Sequence, residues 1–188
     1  MGTFQEDAEI LSIVNSEDIV IGSARRDKIH SNHLLHRSIH LLIFDSKGRL
    51  FLQKRGFSKD ESPGLWASSV SGHVDHDESY DDACIRETQE EVGLTLSNIP
   101  QRLFKLKASE ITGYEFSWVY GIVTDEELIP DPIEIEQVEW LTFDALSESM
   151  SAKPGDYAPF FHLLWNEFIK LSALYSLDFK EFFKPMNS

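Results

Sequence analysis

The chain has 188 residues with 17 Lys or Arg against 32 Asp or Glu, a net charge of −15, and a hydrophobic fraction of 41%. That is enough for one domain with a buried core, and the acidic balance excludes a general nucleic-acid or anionic-membrane binder, which needs a basic footprint. The single cysteine excludes an internal disulfide, no apolar run approaches the ~18 residues of a membrane span, and the opening MGTFQEDAEI lacks the regions of a secretion signal, so a cytoplasmic protein is expected.

In chain order, residues 9–22 predict two short strands joined by a turn at Asn15 to Asp18. With the linker that follows they form an N-terminal extension, 1–34. Residues 24–30 predict a short helix. Residues 36–45 and 49–54 predict strands around Ser46-Lys47-Gly48, a hairpin signal. A loop through Pro63-Gly64 leads to a strand at 65–70. Further strands are expected at 102–108, 115–123 and 136–141, and a short helix at 143–147. After Lys153-Pro154-Gly155, Phe160, Leu163, Leu164, Phe168 and Leu171 recur at helical spacing, so 159–174 is a helix with a core stripe. The main domain is then 35–175 and a packed or frayed tail covers 176–188. Mixed strands with one internal and one terminal helix give an α/β class, an α/β/α sandwich around a mixed β-sheet.

The segment 72-GHVDHDESYDDACIRETQEEVGL-94 contains eight Asp or Glu and one Arg. Ser79 and Asp82 have capping-box spacing and Gly93 suits the C-terminal stop, so 80–92 is predicted helical. At about 100° per residue, Cys84, Ile85, Thr88 and Val92 share the side expected to face the core, and Ala83, Arg86, Glu87, Glu90 and Glu91 share the other. Asp81 and Asp82 complement the helix dipole. Glu87, Glu90 and Glu91 oppose it, and Glu87 also faces the other two at i+3 and i+4. This cluster asks for a cation, and oxygen-only ligands suit Mg²⁺ or Mn²⁺.

The segment resembles the Nudix box, G-x5-E-x7-R-E-U-x-E-E-x-G-U, where U is a bulky apolar residue. Gly72, Glu78, Arg86, Glu87, Glu90, Glu91, Gly93 and Leu94 fit without insertion; Thr88 stands at an apolar position. The resemblance implies a Nudix-type sandwich with a catalytic loop-helix motif. It implies a Mg²⁺- or Mn²⁺-dependent hydrolase that cleaves the diphosphate linkage of a nucleoside diphosphate-X or related organic diphosphate. In that reading Glu87, Glu90, Glu91 and the Gly72 backbone hold metal, with Glu115 an additional candidate. Arg86 orients the glutamates, and a carboxylate such as Glu87 takes the proton of the attacking water. A non-catalytic nucleotide-binding module of the same fold is the alternative that the intact glutamates count against.

Residues 35–74 are further similar to isopentenyl-diphosphate isomerases, which share the Nudix fold. The similar parts are Leu35-His36-Arg37, the Arg55/Lys59 pair and Pro63-Gly64-Leu65-Trp66. The resemblance makes Arg55 and Lys59 candidates for gripping a substrate diphosphate. It also departs: the position of the isomerase catalytic cysteine is Ser71, a hydroxyl far too weak an acid for that role. Of the isomerase metal ligands, His36, His73 and Glu115 match, His30 is offset by one residue, and Gly113 replaces a glutamate. Hydrolase is therefore favoured over isomerase. His30, His33 and His40 are expected to be ordinary loop and strand histidines, with His36 and His73 kept as remnants of the isomerase-type site. Cys84 is expected to be core. The expected partner is a small-molecule diphosphate, with no nucleic acid or membrane, acting on a monomer or homodimer.

Overall fold

The computed structural model describes residues 9–174; the tail expected at 176–188 lies outside the described residues. At its centre is β3 (His36–Phe44), buried on both faces along nearly its whole length and apolar in its second half, as a strand covered on both sides must be. It pairs in parallel with β8 (Glu115–Val123) along its whole length, from His36 opposite Glu115 to Phe44 opposite Val123. β8 pairs antiparallel with β7 (Gln101–Leu106). β4 (Arg49–Arg55) carries the remainder of the sheet through antiparallel pairs with β5 (Trp66–Ala67) and β9 (Ile135–Thr142).

The period-2 alternation of β3 sorts the core. Ile39, Leu41 and Ile43 join Val70, Ala83, Cys84 and Val92 under α2 (Tyr80–Val92). Leu42 and Phe44 join Leu146, Phe161, Leu164 and Phe168 under α3 (Phe143–Ala152) and α4 (Pro159–Leu174). The expected α/β/α sandwich around a mixed sheet is the observed architecture.

Several boundaries differ from the sequence expectation. The strand expected at 65–70 is two strands, β5 and β6 (Val70–His73), because the buried Ser69 turns its hydroxyl to Phe51 O and the Ile43 amide. β6 pairs with β3, Leu41 opposite Val70, so the β3–β4 hairpin closes only at Phe44 opposite Leu50. The helix expected at 143–147 runs on to Ala152, capped by the Thr142 hydroxyl on the Ala145 amide and anchored by Leu146 and Met150. β1 (Ile10–Val14) and β2 (Val20–Arg25) form the N-terminal hairpin. α1 (Arg26–Ser31) starts two residues later than expected, since Ala24 still pairs with Leu11.

The hairpin is tied to the sheet through Asp18 in its turn. Asp18 accepts from Arg37 Nε at 2.6 Å and from the Tyr80 hydroxyl at 3.0 Å, and is bonded by Lys105. It thereby brings Glu9 and α1 against the end of β6.

Candidate functional site

α2 begins where the Ser79 hydroxyl accepts the Asp82 amide and ends at Gly93, whose φ of 66° is left-handed, a conformation glycine adopts without strain. Between these caps Arg86 is the organiser. Its Nε and Nη2 fork onto both oxygens of Glu78 at 2.9 Å each, Nη2 reaches the His73 carbonyl at 3.0 Å, and Nη1 donates to Glu87 Oε1 at 2.6 Å and Glu90 Oε2 at 3.2 Å. The planar five-donor guanidinium suits this fixed fork. Glu78 in turn accepts the Asp75 amide at 3.0 Å, which pins the loop before the helix.

The three glutamates stand in different surroundings. Glu90 is exposed. Glu91 is buried at 3% exposure and its Oε2 accepts Gln53 Nε2 at 2.9 Å and the Ser71 amide at 3.2 Å, bridging β4 and β6 where these strands do not pair. Glu87 lies against the backbone of Gly72, where a Cβ would come within 2.0 Å of its carboxyl carbon. Burial, and then the neighbouring charges of Glu87 and Glu134, push the Glu91 carboxyl up to about 8. Burial pushes Glu87 up to about 7 against the lowering effect of Arg86. In both, burial and neighbouring carboxylates raise the value, and at Glu87 the Arg86 guanidinium offsets this only in part.

Burial corrects the face assignment of α2. Ala83 and Glu91 are buried with Cys84, Thr88 and Val92, while Ile85 is only half-buried. The helix lies with Ala83 toward the sheet because β6 and the Glu91 site lie on that side. Thr88 is accommodated by its own hydroxyl, which donates to Cys84 O at 2.6 Å. Burial pushes the Cys84 thiol up to about 12, consistent with a core residue.

A second cluster forms on the other side of β6. His36 and Glu115 are register partners on β3 and β8, and His73 lies opposite Ser38 on β6. With His30 from α1 they bring one ligand atom each within 4.8 Å of one another. Glu115 Oε1 lies 3.4 Å from His36 Nε2 and 3.3 Å from His73 Nε2, which is 3.2 Å from His30 Nε2. His36 Nε2 is buried without a hydrogen-bond partner. This departs from the expectation for His30 as an ordinary loop histidine. His33 stacks beside Tyr114, and His40 is buried against Phe160 and bonds the Ser68 hydroxyl; neither joins the cluster. Burial opposes charge on His73, yet hydrogen bonds to Glu115 and Glu9 outweigh it and push the ring up to about 9. Burial and the positive charge of His73 press His30 down to about 4. The carboxylates of Glu115 and Glu9 thus favour a positive charge on His73, and His30 beside it stays neutral.

The α2 glutamates line one cavity of about 1070 Å³ together with His73 and Glu115 of the second cluster. Between them Arg55 donates from Nε to Glu61 O at 2.8 Å and from Nη1 to the Ser71 hydroxyl at 3.4 Å. Lys59 is ion-paired with Glu134. The lining also includes the apolar residues Ile111, Ile133, Pro159 and Phe160. Glu9, Glu61 and Glu134 were not singled out from sequence. They come from a strand margin and two loops, with no periodicity or motif to mark them.

A mixed sheet between helices, with the carboxylates of one helix lining a polar cavity, places the chain in the α/β/α sandwich class. The family model described as the NUDIX domain matches residues 34–164, and the chain belongs to the Nudix family. An isopentenyl-diphosphate Delta-isomerase of Serratia proteamaculans is 33% identical over 156 residues, 81% of this chain and 87% of that protein. A prenyl-diphosphate phosphatase of Methanosarcina mazei is 31% identical over 154 residues, 80% and 89% respectively. A crystal structure of a Deinococcus radiodurans protein superposes with a TM-score of 0.68 at 29% identity, covering 80% of this chain and 92% of that one. Within the Nudix hydrolase family it falls in the branch that resembles the isopentenyl-diphosphate isomerases. No helix among the described residues is long and apolar enough to cross a membrane.

Nudix enzymes in general work with a divalent metal, and the donor sets here fit one. The glutamates offer hard oxygens and the histidine cluster offers a mixed nitrogen and oxygen set, with the unpartnered His36 Nε2 facing inward.

Proposed function

We propose that the protein hydrolyses the anhydride bond of an organic diphosphate whose other end is apolar, a prenyl-type diphosphate, with Mg²⁺ or Mn²⁺ at the glutamates. The observation that carries this reading is the meeting of the α2 carboxylates, Arg55, Lys59, His73 and Glu115 in one cavity that also has apolar lining residues. The prenyl-diphosphate phosphatase among the relatives supports the choice of substrate over a nucleoside diphosphate-X.

Glu87, Glu90 and Glu91 would hold the metal, which supplies charge neutralisation of the phosphates and a more acidic bound water. Arg86 ties Glu87 Oε1 and Glu90 Oε2, and Gln53 with Ser71 ties Glu91 Oε2. The other oxygen of each carboxylate lies outside these bonds. Arg55 and Lys59 bind the non-bridging oxygens of the diphosphate, Lys59 leaving Glu134 to do so. Glu87 Oε2 accepts the proton of the attacking water. Water adds to the terminal phosphorus, the bridging P–O bond breaks, and the products are orthophosphate and the organic monophosphate. The apolar chain rests on Ile111, Ile133 and Phe160.

The histidine cluster favours a second reading, isomerisation of an isoprenoid diphosphate, against which Ser71 stands. Incubation with isopentenyl and geranyl diphosphates, nucleotide sugars and ADP-ribose, followed by ³¹P and ¹H NMR, separates them. The expected result is orthophosphate release from the prenyl substrates with an unchanged carbon skeleton. Double-bond migration without phosphate release would overturn the hydrolytic reading, and turnover of nucleotides alone would overturn the prenyl one.

A further inference from the structure

The three imidazoles of the histidine cluster share an arrangement. Their Nε2 atoms face the common centre, and each Nδ1 faces an oxygen on the outside. His36 Nδ1 donates to Leu34 O at 2.9 Å, His73 Nδ1 is 3.5 Å from Glu9 Oε2, and His30 Nδ1 is 3.4 Å from Glu61 Oε1. Outer oxygens of this kind fix the tautomer and ring angle of metal-binding histidines.

Glu61 does more than its counterparts. It belongs to the loop that joins β4 to β5, and its backbone carbonyl accepts Arg55 Nε at 2.8 Å. The preceding Asp60 is held by Arg26 Nη1 at 2.7 Å, from the first residue of the helix that carries His30. The carboxylate of Glu61 fits where it does because residue 113 has no side chain. A Cβ on Gly113 would lie 3.3 and 3.4 Å from the two Glu61 oxygens. One residue thus touches the histidine cluster with its side chain and the phosphate-gripping arginine with its backbone.

We propose that Glu61 is a positioning residue that couples the two: a divalent metal at the histidine cluster orders the 56–64 loop, and with it Arg55 and Lys59, through the 3.4 Å contact between His30 Nδ1 and Glu61 Oε1. Metal on Nε2 makes the Nδ1 proton of His30 more acidic, which strengthens its bond to a carboxylate. The coupling is reciprocal, so an ordered loop raises metal affinity. The inference rests on the histidine cluster being a metal site.

The test uses the full chain with Mg²⁺ saturating the glutamates and Co²⁺ as the probe of the histidines. Co²⁺ affinity is read from its visible absorption, and loop order from hydrogen exchange of residues 56–64. In the unaltered protein Co²⁺ binds and slows exchange in the loop. Glu61→Gln is expected to weaken Co²⁺ about 10-fold and Glu61→Ala up to about 100-fold. In both, exchange in the loop no longer responds to Co²⁺, while far-UV circular dichroism is unchanged. Equal Co²⁺ affinity in Glu61→Ala, or loop protection by Co²⁺ that survives the substitution, overturns the coupling alone. Failure of the unaltered protein to bind Co²⁺, or binding that His36→Gln leaves intact, overturns the metal-site reading and the coupling with it.

Discussion

Glu90 and Glu91 are sequence neighbours with the same side chain and different physics. Glu91 is buried and its carboxyl is pushed up to about 8 by burial and by Glu87 and Glu134, so without metal its neutral form is favoured in the folded state. A raised carboxyl contributes stability that is complete below the unfolded value near 4.5 and is lost as pH rises through about 8. Metal-free protein should therefore lose stability between pH 5 and 8. Glu91→Gln should remove that loss and gain on the order of 1–2 kcal/mol at pH 8, measured by urea denaturation with a chelator present. Glu90→Gln, at an exposed site, should leave stability within about 0.5 kcal/mol. Both should lower turnover by about 100-fold or more if, as proposed, each supplies an oxygen to the metal. The same raised values mean that metal must displace protons, so the Mg²⁺ needed for half-activation should rise as pH falls from 8 to 6.

At the scale of elements, the loop-helix of β6 and α2 works because Gly72 lets the Glu87 carboxyl lie on the strand backbone. Gly72→Ala would place a Cβ within 2.0 Å of that carboxyl carbon and drive Glu87 out of the cavity. The expected outcome is loss of turnover and weaker Mn²⁺ binding, followed by electron paramagnetic resonance, with helix content unchanged. The caps of α2 were legible in sequence since capping is a local contact: Ser79, Asp82 and Gly93 lie within hydrogen-bond reach of their own helix. Its rotation was not. Periodicity alone gave Ile85 to the core and Ala83 and Glu91 to the cavity side, whereas the helix turns to seat Ala83 on the sheet and Glu91 between β4 and β6. Gln53 and the Ser71 amide stabilise a buried carboxylate there, and no helical pattern anticipates partners on other strands.

For the molecule as a whole, the N-terminal extension reaches the cavity: Glu9 lines it and His30 joins the histidine cluster, both ahead of the family-model match that starts at 34. Asp18 holds it there through Arg37, Lys105 and Tyr80. Asp18→Ala leaves those groups without their shared acceptor. It should cost about 1–3 kcal/mol, seen as a lower urea midpoint with an unchanged m-value.

The glutamates of α2 were determined by sequence alone, because residues three and four apart in a helix are neighbours whatever surrounds them. The strand order, and the meeting of His30, His36, His73 and Glu115, were decided only in the tertiary structure. His36, His73 and Glu115 converge through the parallel pairing of β3 with β8 and the antiparallel pairing of β3 with β6, and α1 brings His30 to them. Register between strands distant in sequence is set by which apolar faces bury together, and one chain's local pattern does not contain it.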